Sequence, residues 1–143
     1  FEELKKYSKL LRYETMVKAV EKPLYFCKEE VRNLIPSISM GTDGPVLTNV
    51  ILITDNIIID IKLQTKEETF DYVALNTIKN YRFHLFEHTI KGTDDKDIIY
   101  QVATIDLLHN PPHAFKTALN YVGDDRESWL KLVTEAIPIA ILL

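Results

Sequence analysis

The residues best suited to chemistry in this 143-residue chain are its four histidines. They fall into two pairs at a spacing of four, His84 with His88 and His109 with His113. Familiar zinc spacings place such pairs on a helix or beside cysteines. His84 and His88 lie instead in an alternating, strand-like segment. There they would share a face about 13 Å apart, at roughly 3.3 Å per residue. That is too far for two ligands that must each sit about 2 Å from one ion. His109 and His113 flank Asn110-Pro111-Pro112, with Asp106 nearby, and this loop could chelate. A small metal-dependent enzyme using His109, His113 and Asp106 is therefore one alternative. The favoured reading is ordinary surface histidines, with no metal, no cofactor and no catalytic residue assigned.

Other reactive types lead to blander readings. Asp94, Asp95 and Asp97 cluster in "GTDDKD", and Asp124 and Asp125 in "GDDRES". A calcium loop needs a central Gly and a bidentate Glu at defined offsets, which neither run supplies. Solvated turns and a helix cap account for both. Cys27 stands alone; a lone cysteine is usually a small hydrophobe rather than a nucleophile. No GxSxG elbow and no phosphate-cradling glycine loop occurs, and the chain has only four Gly. The chain is expected not to be an enzyme.

Composition narrows the partners. The formal net charge is −4, with 46% hydrophobic and 27% charged residues. Residues 1–40 hold eight Lys and Arg against six Glu, and residues 41–143 hold nine against fifteen Asp and Glu. Nucleic-acid affinity comes mostly from neutralising phosphates, so an acidic chain without a basic cluster is not expected to bind nucleic acid. Attachment to anionic membranes takes roughly 4–8 clustered Lys or Arg, so peripheral membrane contact is the less favoured alternative. A single cysteine suits a reducing compartment, and a cytoplasmic location is expected. The chain starts at Phe1 rather than Met, which reads as a processed or excised piece of a longer protein.

These residues must be positioned by a short list of elements. Phe1, Leu4, Tyr7 and Leu11 follow helical spacing, and Met16, Val17 and Val20 extend the stripe toward Glu21. This predicts an N-terminal helical extension over 1–22. "CKEEVRNLI" is a second short helix candidate that Pro36 ends, and "SMGTDGP" is a loop. The segment "VILITDNIIIDI" (50–61) contains no Gly or Pro. Asp55-Asn56 suits a two-residue hairpin turn, since both tolerate positive φ. Folding there pairs Thr54 with Ile57, Leu52 with Ile59, Val50 with Ile61 and Thr48 with Leu63 on an apolar face. The other face pairs Ile51 with Asp60, Asn49 with Lys62 and Leu47 with Gln64, the period of a half-buried sheet. Strands follow over 69–75, 79–90, 98–108 and 114–122. The last segment is helical, with Asp124 and Glu127 as a capping pair. Its apolar stripe is Trp129, Leu132, Val133, Ala136 and Ile137, and Pro138 closes it.

Four segments together carry a family resemblance. "FCKEEVRNLIP" resembles an acidic lead-in to a short apolar strand. "VLTNVILITDN" is similar to an "LTN-x-R-L-I" strand, with Leu47, Thr48 and Asn49 in place. "DYVALNTIKNYRF" resembles an "I-P-L-x-D-I-x-x-V" strand and turn, and "GDDRESWLKLVTEAI" a closing helix. Over residues 24–137 the chain resembles the pleckstrin-homology-like superfold, more narrowly the GRAM and bacterial pleckstrin-homology-type domains. Val50-Ile51 stand where that family often has a basic residue, and Asn76 stands near its usual Asp. The resemblance implies an α+β fold. It comprises an antiparallel barrel or sandwich of about seven strands with a C-terminal capping helix, over 23–143, with the N-terminal helix as an addition. It also implies a non-enzymatic binding or scaffolding module. Lipid-binding members use basic residues near the loop joining the first two strands. Here that loop is read as "SISMGTDGP", which has Asp43 and no Lys or Arg, so protein or peptide is the expected partner.

Two surfaces are candidates for that partner. One is Ile51, Ile53 and Ile58 with Leu47, on the outer face of the central hairpin, where the N-terminal helix is expected to cover them unless a partner or a second copy does. The other is the outward stripe Arg82, His84, Phe86 and His88, aromatic and cationic as interfaces tend to be. A homo-oligomer through such a surface, or a partner-protecting role such as that of an immunity protein, are further alternatives.

Overall fold

The computed structural model describes residues 21, 30–41, 44–63, 69–91, 97–109, 113–123 and 125–142. The helical extension expected over 1–22 therefore lies outside the described residues except for Glu21, as do Cys27 and the start of the second helix candidate.

Among the described residues, seven antiparallel strands form two sheets, followed by a C-terminal helix. The strands are β1 (Asn33–Gly41), β2 (Gly44–Ile53), β3 (Ile57–Lys62), β4 (Thr69–Ala74), β5 (Ile78–Lys91), β6 (Asp97–His109) and β7 (His113–Tyr121). A single 3-10 turn, Leu75–Thr77, joins β4 to β5, and the helix α1 spans Arg126–Leu142. One sheet runs β1-β2-β3-β4 and the other β5-β6-β7. Among the described residues no ladder joins the two sheets, so they make a sandwich rather than a closed barrel.

The central hairpin forms in the expected register. Asn49 pairs with Lys62, Val50 with Ile61, Ile51 with Asp60 and Leu52 with Ile59. Thr54 locks the turn. Its N–H donates to Ile57 O (3.0 Å), and its Oγ1 accepts from the N–H groups of Asn56 (3.2 Å) and Ile57 (3.0 Å). Arg32 clamps the turn from outside, its Nε and Nη2 reaching the two Asp55 carboxylate oxygens at 2.9 and 3.0 Å. That hydrogen bond holds the Asp55 carboxyl below the usual carboxylate range.

Several expectations are corrected. Residues 33–35 are strand, not helix, and β1 runs through Pro36 to Gly41. Pro is tolerated there because β1 is an edge strand. The loop over 37–45 accordingly shrinks to the connection between Gly41 and Gly44, which pair with each other. A β-bulge sits opposite Ser37 and Ile38. It puts Thr48 on the same side as Asn49, with its hydroxyl 3.1 Å from Ser37 O and 2.9 Å from Asn49 Oδ1. Leu47 is thereby turned to the other face, where it is buried with Val50, Leu52, Ile59 and Ile61.

The hairpin is not half-buried, because both faces are covered. Ile51, Ile53 and Ile58 are 0%, 1% and 0% exposed. They pack with Ile35 and Val73 against Ala103, Ile105, Leu107 and Leu119 of the second sheet and against α1. Their cover is thus the C-terminal helix and the opposing sheet. At roughly 1.5–3 kcal/mol for each side chain fully buried, this is the main cohesion between the layers.

α1 meets the expected stripe: Trp129, Val133, Ala136 and Ile137 are buried and Leu132 packs beside them. The Trp129 N–H donates to the Asp125 carbonyl (3.0 Å), which makes Asp125 the cap residue. Asp124 lies outside the described residues, while Glu127 remains in the first turn, where a carboxylate favours the helix dipole. Pro138 does not end the helix, which continues to Leu142. The missing N–H costs about 3 kcal/mol, offset by packing of Ile137, Ala140 and Ile141 on the core. The Trp129 indole N–H donates to Pro36 O at 2.8 Å in a buried bond, and its ring stacks on Tyr121 at 5.5 Å. This fastens the helix to the edge of β1.

Candidate functional site

The ladder of the second sheet positions the candidate stripe. Residues directly opposite share a face. Arg82 therefore lies beside Asp106, with Lys116 on the far side of Asp106, His84 beside Thr104, Phe86 beside Val102, and His88 beside Tyr100. Tyr81, Phe83 and Leu85 lie beside Leu107, Ile105 and Ala103 on the core side. Alternation along β5 thus puts Arg82, His84, Phe86 and His88 together on the outer face, and all four are exposed. The His84 and Phe86 rings are 5.3 Å apart, and those of His88 and Tyr100 6.5 Å.

Ile51, Ile53 and Ile58, the other candidates, are core residues and present nothing to a partner.

Apolar residues are exposed on both faces of the β5–β6 hairpin. Leu85 is 43% exposed, Phe86 42%, Ile90 44% and Ile99 38%. Leu85 faces the core side, yet its ladder partner Ala103 is 0% exposed. The cover supplied by α1 and the first sheet therefore reaches Ile78 and Phe83 of β5 but leaves Leu85 open. Beyond β7, residues Asp97–Tyr100 have ladder partners only in His88–Lys91, so the β5–β6 hairpin extends as a two-stranded ribbon, tied to β1 where the Met40 N–H donates to the Tyr100 hydroxyl at 3.1 Å. Strand length was the available signal: the alternating segments 79–90 and 98–108 are longer than 114–122, and an overhang cannot be covered by a shorter neighbour.

Charges around β5 are largely compensated on one side. Glu87 accepts from Arg126 Nη1 at 3.3 Å. Asp106 lies in register between Arg82 and Lys116, and its Oδ1 is buried with no hydrogen-bond partner. His109 and His113 pair with each other at the end of the β6–β7 ladder. Among the described residues, no group of three or more His, Cys, Asp or Glu is placed to hold a metal ion.

A concavity of about 340 Å³ lies between the Asp55-Asn56 turn, Leu75-Asn76 and Ala140-Ile141. Its one charged group, Asp55, is already held by Arg32. No helix among the described residues is long and apolar enough to cross a membrane. Comparison with known proteins finds no matching family model, no matching curated protein and no matching solved structure.

Proposed function

We propose that this chain is a non-enzymatic binding or scaffolding module of the pleckstrin-homology-like type, taking a protein or peptide partner in preference to lipid. The order of four strands, three strands and a closing helix supports the fold part of this reading. The observation that carries the functional part is the β5–β6 ribbon. Leu85, Phe86, Ile90 and Ile99 of this hairpin are 43%, 42%, 44% and 38% exposed, whereas Ile51, Ile53, Ile58, Ile105 and Leu107 are buried. Contiguous exposed apolar surface with aromatic and cationic residues is the chemistry of protein contact. The connection between β1 and β2 carries Asp43 and no Lys or Arg, so a phosphate-bearing headgroup would lack its partner there. The lone cysteine suits a reducing, cytoplasmic setting.

The test pairs a random-peptide display selection on the full chain with sedimentation on anionic vesicles. The reading expects enriched peptides whose binding is lost in a Leu85→Ser, Phe86→Ser variant, and no sedimentation. Strong sedimentation with no enriched peptide would overturn it.

A further inference from the structure

We infer that the free edge of β5 takes an extended acidic segment of a partner protein as a fourth strand of the β5-β6-β7 sheet. This rests on the binding-module reading and specifies its ligand. β5 is 14 residues long and ends the sheet order, so one row of its backbone N–H and C=O groups has no ladder partner among the described residues. Long, exposed edges are normally shortened, covered or heavily charged, because they template pairing with another chain. Here β5 is open at its edge, along its outer face and over part of its inner face. Its outer face shows Arg82, His84, Phe86 and His88, and its inner face shows Tyr81 and Leu85 on either side of the part-buried Phe83, with α1 reaching the strand through Arg126 at Glu87. Main-chain hydrogen bonds would supply affinity, and alternate side chains would supply specificity.

Charge selects the occupant. β5 carries Lys79, Arg82 and Lys91 against a single carboxylate, Glu87, which Arg126 already engages. Asp106 lies between Arg82 and Lys116, and Asp97 faces Lys91. The uncompensated positive charge thus lies toward the Lys79–Arg82 end, with the two histidines next along the strand. A second copy of this chain would bring β5 cations against β5 cations near the same end, whereas an acidic strand complements them. The ligand class is therefore an extended segment alternating Asp or Glu with apolar residues, its carboxylates opposite Lys79 and Arg82.

The experiment uses the full chain and a capped peptide of about nine alternating Glu and Val residues, a usual strand length. Two controls carry Lys in place of Glu, or N-methyl groups on alternate residues. The Glu peptide is expected to bind and to slow amide hydrogen exchange along residues 80–90. N-methylation and Lys replacement should each weaken it by about tenfold or more. Raising salt from about 0.15 M to about 1 M should also weaken it, since the screening length falls to about 3 Å. A Lys79→Gln, Arg82→Gln variant, altered only at exposed positions, should lose the preference for Glu over Lys. Equal binding of both peptides, protection elsewhere, no binding, or dimerisation through β5 would each overturn the inference. If the display selection still enriches peptides that leave β5 exchange unchanged, the module reading stands without this edge; if it enriches none, both fall.

Discussion

Replacing the Trp129 indole by its benzothienyl isostere, with sulfur where the N–H stands, isolates one bond that sets the architecture. The N–H donates to Pro36 O at 2.8 Å, and both residues are buried. The isostere keeps the ring volume and the stack on Tyr121 but leaves the Pro36 carbonyl without this donor. An unsatisfied buried carbonyl costs about 1–3 kcal/mol. Trp129→Phe removes the same donor and part of the ring as well. The lost apolar area adds about 1 kcal/mol, for about 2–4 kcal/mol in all. Urea unfolding followed by far-ultraviolet circular dichroism reads both variants without relying on tryptophan emission. An isostere as stable as the natural residue, to within about 0.3 kcal/mol, would refute the claim that this bond fastens α1 to β1.

Other consequences are equally direct. Ile58→Ala empties a fully enclosed site and should cost about 2–5 kcal/mol in the same assay. A Leu85→Ser, Phe86→Ser variant should lose peptide binding while changing stability far less, read by the display peptides and by urea midpoint. Thr54→Val removes the hydroxyl that accepts from Asn56 and Ile57 and should cost about 1–3 kcal/mol. Because Arg32 lowers the Asp55 pKa, the pair's contribution is present above the ordinary Asp range and is lost as pH falls through the lowered value. Urea midpoints of the natural chain and Asp55→Asn, taken from neutral pH downward, should therefore converge in acid. The difference at neutral pH should be small, as the pair is exposed, and should shrink with salt.

What the residues disclosed, and what they hid, divides along physical lines. The β2–β3 register was legible because a two-residue turn and strict alternation leave no freedom once Asp55-Asn56 is fixed. The bulge at Thr48 was not, since one extra residue in a strand changes no composition yet sends Leu47 to the opposite face. Pro36 reads as a stop wherever it occurs; only knowledge that β1 is an edge makes it a strand residue. Pro138 reads the same way, and only the packing of Ile137, Ala140 and Ile141 keeps its helix intact. Parity along β5 correctly grouped Arg82, His84, Phe86 and His88 on an exposed face. Parity along β2 and β3 could not reveal that a second layer covers Ile51, Ile53 and Ile58. Which layer meets which face is a tertiary property, so the same alternation yielded one open stripe and one buried core.

Hydrogen–deuterium exchange along the full chain, with and without a display-selected peptide, is the most direct test of where partners dock. Slower exchange through residues 80–90 and around Ile99, with no change near Asp55-Asn56, is the expected result. Protection confined to the concavity between Asp55, Asn76 and Ala140, with β5 unaltered, would contradict the assignment.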